Sequence, residues 1–388
     1  MHNFSPPRPR GETEITTGIQ GRTLNRPHIE WSALRVLWRP VAILLGARIV
    51  AFVALELTKS TTHFSPFYLQ DWDANWYVAA AAHGWPSVVS ATQNQLGFFP
   101  GLPLVIRAVH SITRLDWWIA AYVAQIAIEV VMAAVFWLLA RDVWDERVAD
   151  RATALLCFFP AAYIFSFVYA EPLFLAAACA CILALRRRWW LLAGVAAAVG
   201  TGSRPEGIAL VVCCGWEAYV AVRDRQDWRA LSAIALAPAG LVAWLVFLWS
   251  WTGSPLAWSH AQTLAWGQHV DPLSLVRESW HVVRGVAPLE QIVSLLSAAV
   301  AVVLLAIMLK KRSEVPAVLL VFTGVVLVLS SVSSVSPLHP RILLTAFPLI
   351  MILARVLRGR AYQLVIGACA ALMVTLQVVT LSTRLITP

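Results

Sequence analysis

From Val41 onward the chain is written in long apolar runs separated by short clusters of charge. A helix needs about 20 mostly apolar residues to cross the hydrocarbon layer of a bilayer. Lipid offers no partner to an open backbone N–H or C=O, so such runs close their hydrogen bonds internally as helices. The pattern predicts spans at about 40–57, 117–140, 152–168, 171–186, 189–203, 207–222, 230–250, 290–309, 315–332, 341–355 and 361–381, roughly eleven in all. The apolar stretch Phe98–Thr113 is shorter, opens on Phe-Phe-Pro and contains Pro103 and Arg107. It reads as a helix that dips into the membrane and does not cross it.

Charge then orients the spans. Basic residues favour the cytoplasmic side of membrane proteins. With the N-terminus inside, the inner segments are Arg141–Arg151, Arg186–Arg188, Arg223–Arg229, Lys310–Arg312 and Arg355–Arg360, four of them clearly basic. Counting Phe98–Thr113 as a full crossing would put these segments outside. The opposite face has a long first loop, Thr58–Asp116, and turns or loops at Ser166–Pro172, Thr201–Gly207, Ser250–Glu290 and Ser331–Arg341. Residues 1–37, rich in Pro, Arg, Thr and Gly, read as a disordered cytoplasmic tail, and 38–388 as one membrane domain.

Composition agrees. Of 388 residues, 59% are hydrophobic and 13% charged, against about 25% charge in an ordinary soluble domain. The net charge of +9 follows from the basic inner segments, so it gives no reason to invoke nucleic acid. Arg is far commoner than Lys, which with abundant Ala, Val and Trp suits a GC-rich bacterial genome, and hence a bacterial plasma membrane as the location. All six cysteines lie in apolar runs. Cys179 and Cys181 are two apart and so point about 200° apart on a helix, which argues for packing and against a disulfide or zinc site.

The residues that could carry chemistry gather on the outer face. Asp71-Trp72-Asp73-Ala74-Asn75-Trp76-Tyr77 sits in the first loop, where Trp and Tyr favour the headgroup zone. As a helix, this stretch lies in the interface, and in the plainer reading Asp71 and Asp73 simply cap it. Glu171 stands between two spans with almost no loop; Arg204 and Glu206 share the next outer turn; His339 and Arg341 begin a late span; His260 and Gln262 lie in the long outer loop. Snorkelling or local pairing accounts for any one such group. Their recurrence on one side is what a polar cavity at the membrane surface needs. There, Asp73, or second Asp71, can accept a proton from an acceptor hydroxyl. Arg204 and Arg341, with His339, can hold a phosphate, and Glu171, Glu206, His260, Gln262, Trp72 and Trp76 can bind the substrate. That set suits transfer of a sugar from a lipid phosphate whose tail stays in the bilayer. Asp71, Asp73 and His260 could meet a divalent metal, but no ligand spacing indicates one.

Five ordered segments carry a resemblance. They are Trp72-Asp73-Ala74-Asn75-Trp76-Tyr77; Phe98-Phe99-Pro100-Gly101-Leu102-Pro103-Leu104; Phe159-Pro160-Ala161 through Tyr169-Ala170-Glu171; Ser203-Arg204-Pro205-Glu206-Gly207; and Gly253-Ser254-Pro255-Leu256-Ala257 to His260-Ala261-Gln262. Pro340-Arg341 with Phe347-Pro348-Leu349 follows. Together they resemble the PIG-V mannosyltransferases of the GT-C class of membrane glycosyltransferases. The resemblance implies an all-α GT-C-like bundle with inverting chemistry and a polyprenyl-phosphate mannose donor. It also implies Asp73 as the base, and an extracytoplasmic glycolipid, glycan or protein as acceptor. Ala74 stands where the family commonly has Gly, and Glu206 where it often has Asn, which bears on the acceptor more than on the reaction. Two other readings are a different lipid-linked sugar (arabinose, glucose or galactose) and a transporter or lipid flippase. A transporter would place its ionisable groups near the bilayer midplane in paired halves, whereas here they sit at span ends on one side.

Overall fold

Local chemistry sets where the helices begin. Asp116 caps the helix that begins at Trp117 by accepting from the Trp118 N–H at 2.8 Å, and Asp145 caps the one that begins at Glu146 by accepting from the Val148 N–H at 2.9 Å. Pro172, Pro340 and Pro348 occupy first-turn positions, where a missing N–H costs nothing. The computed structural model describes residues 36–61, 70–335 and 337–383. The tail expected at 1–37 falls almost wholly outside them.

The helices are α1 (Trp38–Thr61), α2 (Asp73–His83), α3 (Gly101–Thr113), α4 (Trp117–Val143), α5 (Glu146–Cys157), α6 (Glu171–Arg186), α7 (Trp190–Thr201) and α8 (Ile208–Arg225). They continue as α9 (Leu231–Leu236), α10 (Ala239–Thr252), α11 (Ala257–Trp266), α12 (Ser274–Val283), α13 (Leu289–Lys310), α14 (Ala317–Ser331), α15 (Pro340–Thr345), α16 (Pro348–Val356) and α17 (Gly359–Thr383). Among the described residues the only β pairing is an isolated bridge between Val270 and Ser333.

Among the described residues six helical segments are long and apolar enough to cross a membrane: Trp38–Leu57, Trp117–Val143, Pro205–Arg225, Trp228–Thr252, Leu289–Lys310 and Gly359–Ser382. The eleven expected spans are not all of this kind. The run expected at 152–168 is α5 followed by a 3-10 turn at Pro160–Ser166, bent by 72°. Pro160 lacks the N–H that would continue the helix and keeps Phe159 out of the helical region. The α6 helix has only 16 residues, about 24 Å at 1.5 Å per residue. It is buried on nearly every side and lined by Ala and Cys, so neighbouring helices surround it and it need not match the bilayer's thickness. The α3 helix has 13 residues, about 20 Å, too short to cross. Its Arg107 donates from Nε to Ala81 O at 2.8 Å and from Nη2 to Ala80 O at 3.4 Å, closing the carbonyl end of α2.

The segments assigned to one side by charge do meet at one end of the bundle. Arg186 pairs with Asp142 at 2.8 Å, Arg355 with Glu314 at 3.0 Å, and Arg151 donates to Leu357 O at 2.6 Å. The Trp190 indole donates to Asp227 at 2.9 Å. At the other end, close backbone approaches fix the turn that holds Arg204. A Cβ on Gly240 would fall 2.0 Å from Ala198 O, and one on Gly207 2.5 Å from Thr201 Cα. Gly101 N–H donates to Gly202 O at 2.8 Å, and a Cβ there would fall 2.5 Å from Ser203 Oγ. The Phe-Phe-Pro-Gly segment and the Ser203–Gly207 segment are therefore fitted to each other.

Candidate active site

Four separate turns bring charge to one point. Asp73 is the first residue of α2 and follows Trp72, whose φ of 55° lies in the left-handed region that a bulky residue enters at a cost of order 1 kcal/mol. Glu171 is the first residue of α6. Arg204 is extended ahead of the 3-10 turn Pro205–Gly207, and His339 caps α15 just before Arg341. Helix starts leave backbone N–H groups open and carry partial positive charge, which suits carboxylates at Asp73 and Glu171.

Their side chains form one network. Arg341 Nη2 reaches Asp73 Oδ2 at 2.7 Å. Arg341 Nε and Arg204 Nη1 both donate to Glu171 Oε1. Arg204 also forks onto Glu206, from Nη2 to Oε1 at 3.0 Å and from Nε to Oε2 at 3.1 Å. The Arg341 guanidinium lies over the Tyr169 ring, 4.5 Å from its centroid, a favourable cation–π placement. Three carboxylates thus meet two guanidiniums. Taking such charges out of water is expensive unless they are paired, and Glu171 is fully buried.

Above the network is a cavity of about 510 Å³. It is lined by the rings of Trp72, Trp76, Tyr77, Phe98, Trp258 and Trp266 and by the polar side chains of Gln93, Gln262, Gln268, Glu290 and Ser333. Burial, and after it the Asp73 charge, raises the pKa of Tyr77 and Tyr169, so both phenols are O–H groups at neutral pH. Burial, and next the Arg341 charge, pushes His339 down to about 4, so its ring is neutral. The Nδ1 of His339 accepts from the Arg341 backbone N–H at 3.5 Å, which puts the ring proton on Nε2. That Nε2 and the Tyr169 hydroxyl are buried with no partner among the described residues.

Of the residues singled out in the sequence, Trp72, Asp73, Trp76, Arg204, Glu206, Gln262, His339 and Arg341 line this cavity. Glu171 lies beneath it with no exposed surface and holds the arginines. Asp71 is half-buried and off the lining, and His260 is exposed. The α11 helix explains His260. Trp258, Gln262 and Trp266 recur every four residues and face the cavity, and a residue two positions from Trp258 points roughly to the opposite face. That four-residue stripe is the signal that finds Trp258 and Trp266. Tyr77 ends the first aromatic motif, while Gln93, Gln268 and Glu290 have no local sequence mark. Among the described residues no group of three or more His, Cys, Asp or Glu is placed to hold a metal ion.

A helical membrane bundle that gathers paired acids and arginines under a cavity at one end defines the class: the fold is GT-C-like, all-helical and multi-pass. The chain is similar to ArnT from Cupriavidus metallidurans, solved bound to undecaprenyl phosphate, with a TM-score of 0.53 at 17% identity, over 85% of this chain and 63% of that one. It is also similar to the Archaeoglobus fulgidus oligosaccharyltransferase tethered to an acceptor peptide, with a TM-score of 0.51 at 14% identity, over 92% and 56%. The chain therefore spans about three-fifths of the length of these proteins, and the likeness is one of fold. No protein-family model matches the sequence, and no curated protein matches it.

Proposed function

We propose that the protein is a membrane glycosyltransferase that moves a sugar from a polyprenyl phosphate to an acceptor hydroxyl at the extracytoplasmic surface, with mannose as the first sugar to test. The observation that carries this reading is the pairing of Asp73 with Arg341, which Glu171 joins to Arg204, under a cavity lined by aromatic and amide side chains. The ordered motifs shared with PIG-V mannosyltransferases favour mannose. The ArnT structure bound to undecaprenyl phosphate favours a lipid-phosphate donor.

In this reading the acceptor oxygen attacks the anomeric carbon, and the bond from that carbon to the phosphate oxygen breaks. Asp73 takes the acceptor's proton, and the phosphate departs on its lipid. Arg341, Arg204 and neutral His339 hold the phosphate as charge builds on it, which is where fixed donors lower a barrier most. Indole faces and side-chain amides suit the apolar faces and hydroxyls of a sugar. The chemistry needs no cofactor beyond the lipid-linked donor.

The test is sugar transfer in membranes from a panel of polyprenyl-phosphate sugars (mannose, arabinose, glucose and galactose), with the wild type and Asp73→Asn. A general base contributes about 10²–10⁴-fold, so the variant should lose at least a hundredfold in rate while remaining folded. Undiminished transfer by Asp73→Asn would remove Asp73 from this role, and uptake of a solute without any donor would favour a transporter.

A further inference from the structure

The arginines that would hold the donor phosphate are already engaged, and one of them occupies the base. Arg341 holds Asp73 Oδ2 at 2.7 Å. A donor phosphate arriving at Arg341 therefore competes with Asp73 for the same guanidinium. The phosphate can take over that contact only if Arg341 stays where it is when Asp73 lets go.

Glu171 can keep it there. Its Oε1 collects Arg341 Nε and Arg204 Nη1 together, and the carboxylate is fully buried below the cavity floor. It stands at the first residue of α6, a helix buried along nearly its whole length, so its backbone has little freedom. Tyr169, two residues earlier, supports the same guanidinium from its ring face. Arg204 is tied separately to Glu206 by two hydrogen bonds, so it does not depend on Asp73 at all. Of the two arginines only Arg341 bridges Glu171 to Asp73.

We propose that Glu171 is a positioning residue: it anchors Arg341 from below while the guanidinium exchanges Asp73 for the donor phosphate, so that donor binding frees the base. This deepens the glycosyltransferase reading and rests on it. It makes the reaction ordered, with donor before proton transfer, and it assigns Glu171 no contact with substrate. The proton balance is that given above: the acceptor's proton passes to Asp73 only after Asp73 has left Arg341, and the phosphate leaves in the guanidinium's care.

The consequence is specific in sign. In Glu171→Gln the carboxylate charge is gone and the shape is kept. Arg341 then keeps its contact with Asp73 and holds it more firmly, while the site as a whole is more positive toward a phosphate. These two effects oppose one another in donor binding, so the expected result is a fall in kcat of tenfold or more with KM for the lipid donor little changed. Glu171→Asp, which keeps the charge on a shorter stem, should recover part of the kcat. A residue that merely stabilises the fold would lower the amount of active protein and leave both constants of the remainder alone.

The experiment is steady-state kinetics of both variants beside the wild type, together with a structure of the wild-type protein bound to undecaprenyl phosphate. The structure guards against variants that do not fold. It should show Arg341 parted from Asp73, on the phosphate, and still on Glu171. An unchanged kcat in folded Glu171→Gln, a raised donor KM with normal kcat, or Arg341 remaining on Asp73 in the complex would each overturn the proposal while leaving the transferase reading in place. A wild-type protein that moves no sugar from any lipid phosphate would remove both.

Discussion

Arg341 is the residue on which the site turns, because two carboxylates and an aromatic ring meet its single planar group. Lysine carries the same charge as a point and cannot satisfy a fork. Arg341→Lys should therefore lose transfer activity by at least tenfold in the donor-panel assay. Arg341→Ala would also leave Glu171 short of one buried partner, an effect worth about 3–5 kcal/mol for broken buried pairs, readable as a lower Tm. His339 gives a pH signature. Its folded pKa of about 4 lies below the ordinary 6.5, so between those values the unfolded chain binds a proton that the folded protein does not. Its contribution is complete above pH 6.5 and is lost as the pH falls through 4, by roughly 3 kcal/mol in all. Thermal unfolding followed from pH 7.5 to 4.5 should show a decline that is shallower in His339→Gln. At this scale, residue type was legible in the sequence: Asp73, Arg204 and Arg341 stand out as charges at span ends. What each touches was not. Glu171 looked like a substrate contact, and only the packing of α6 shows that it lies below the floor.

Elements explain why the motifs have the form they do. Gly101 and Ser203 belong to segments about a hundred residues apart, yet Gly101 N–H donates to Gly202 O at 2.8 Å and has no room for a Cβ beside Ser203. Gly101→Ala should push on the turn that carries Arg204, lowering transfer activity while the apolar bundle still assembles. Gly240→Ala meets backbone instead, with its Cβ 2.0 Å from Ala198 O. Overpacking of this kind costs about 1–3 kcal/mol and should appear as a lower Tm and poorer recovery from detergent. Helices that face lipid were readable from apolar length alone, and α4, α13 and α17 fall close to their expected bounds. The segments that build the site were less so. The α5 helix and the Pro160–Ser166 turn form a bend, because Pro160 breaks a run whose hydropathy is continuous. Helix α11 was legible as polar and aromatic, but its facing depended on the four-residue stripe of Trp258, Gln262 and Trp266, which singling out His260 by its chemistry overlooked.

For the whole molecule, the division of charge between two ends makes a statement about sides. Arg186, Arg151 and Arg355 are fastened to neighbouring segments at one end, and Glu171, Arg204 and Arg341 of the network precede or begin helical segments with the basic residues Arg186, Arg225 and Arg355 in their last turns. Basic segments face the cytoplasm, so the cavity should open on the opposite surface, where the proposed lipid-linked donor would present its sugar. Cysteine labelling tests this with little background, since five of the six native cysteines are buried. Asn75 and Asp224 are both exposed, the first two residues from Asp73 and the second in the basic last turn of α8. A membrane-impermeant maleimide should modify Asn75→Cys in intact cells and reach Asp224→Cys only after the membrane is opened. The reverse pattern would put the cavity in the cytoplasm. A donor flipped to the outer leaflet could not then reach Asp73, and a cytosolic nucleotide sugar would become the donor to test.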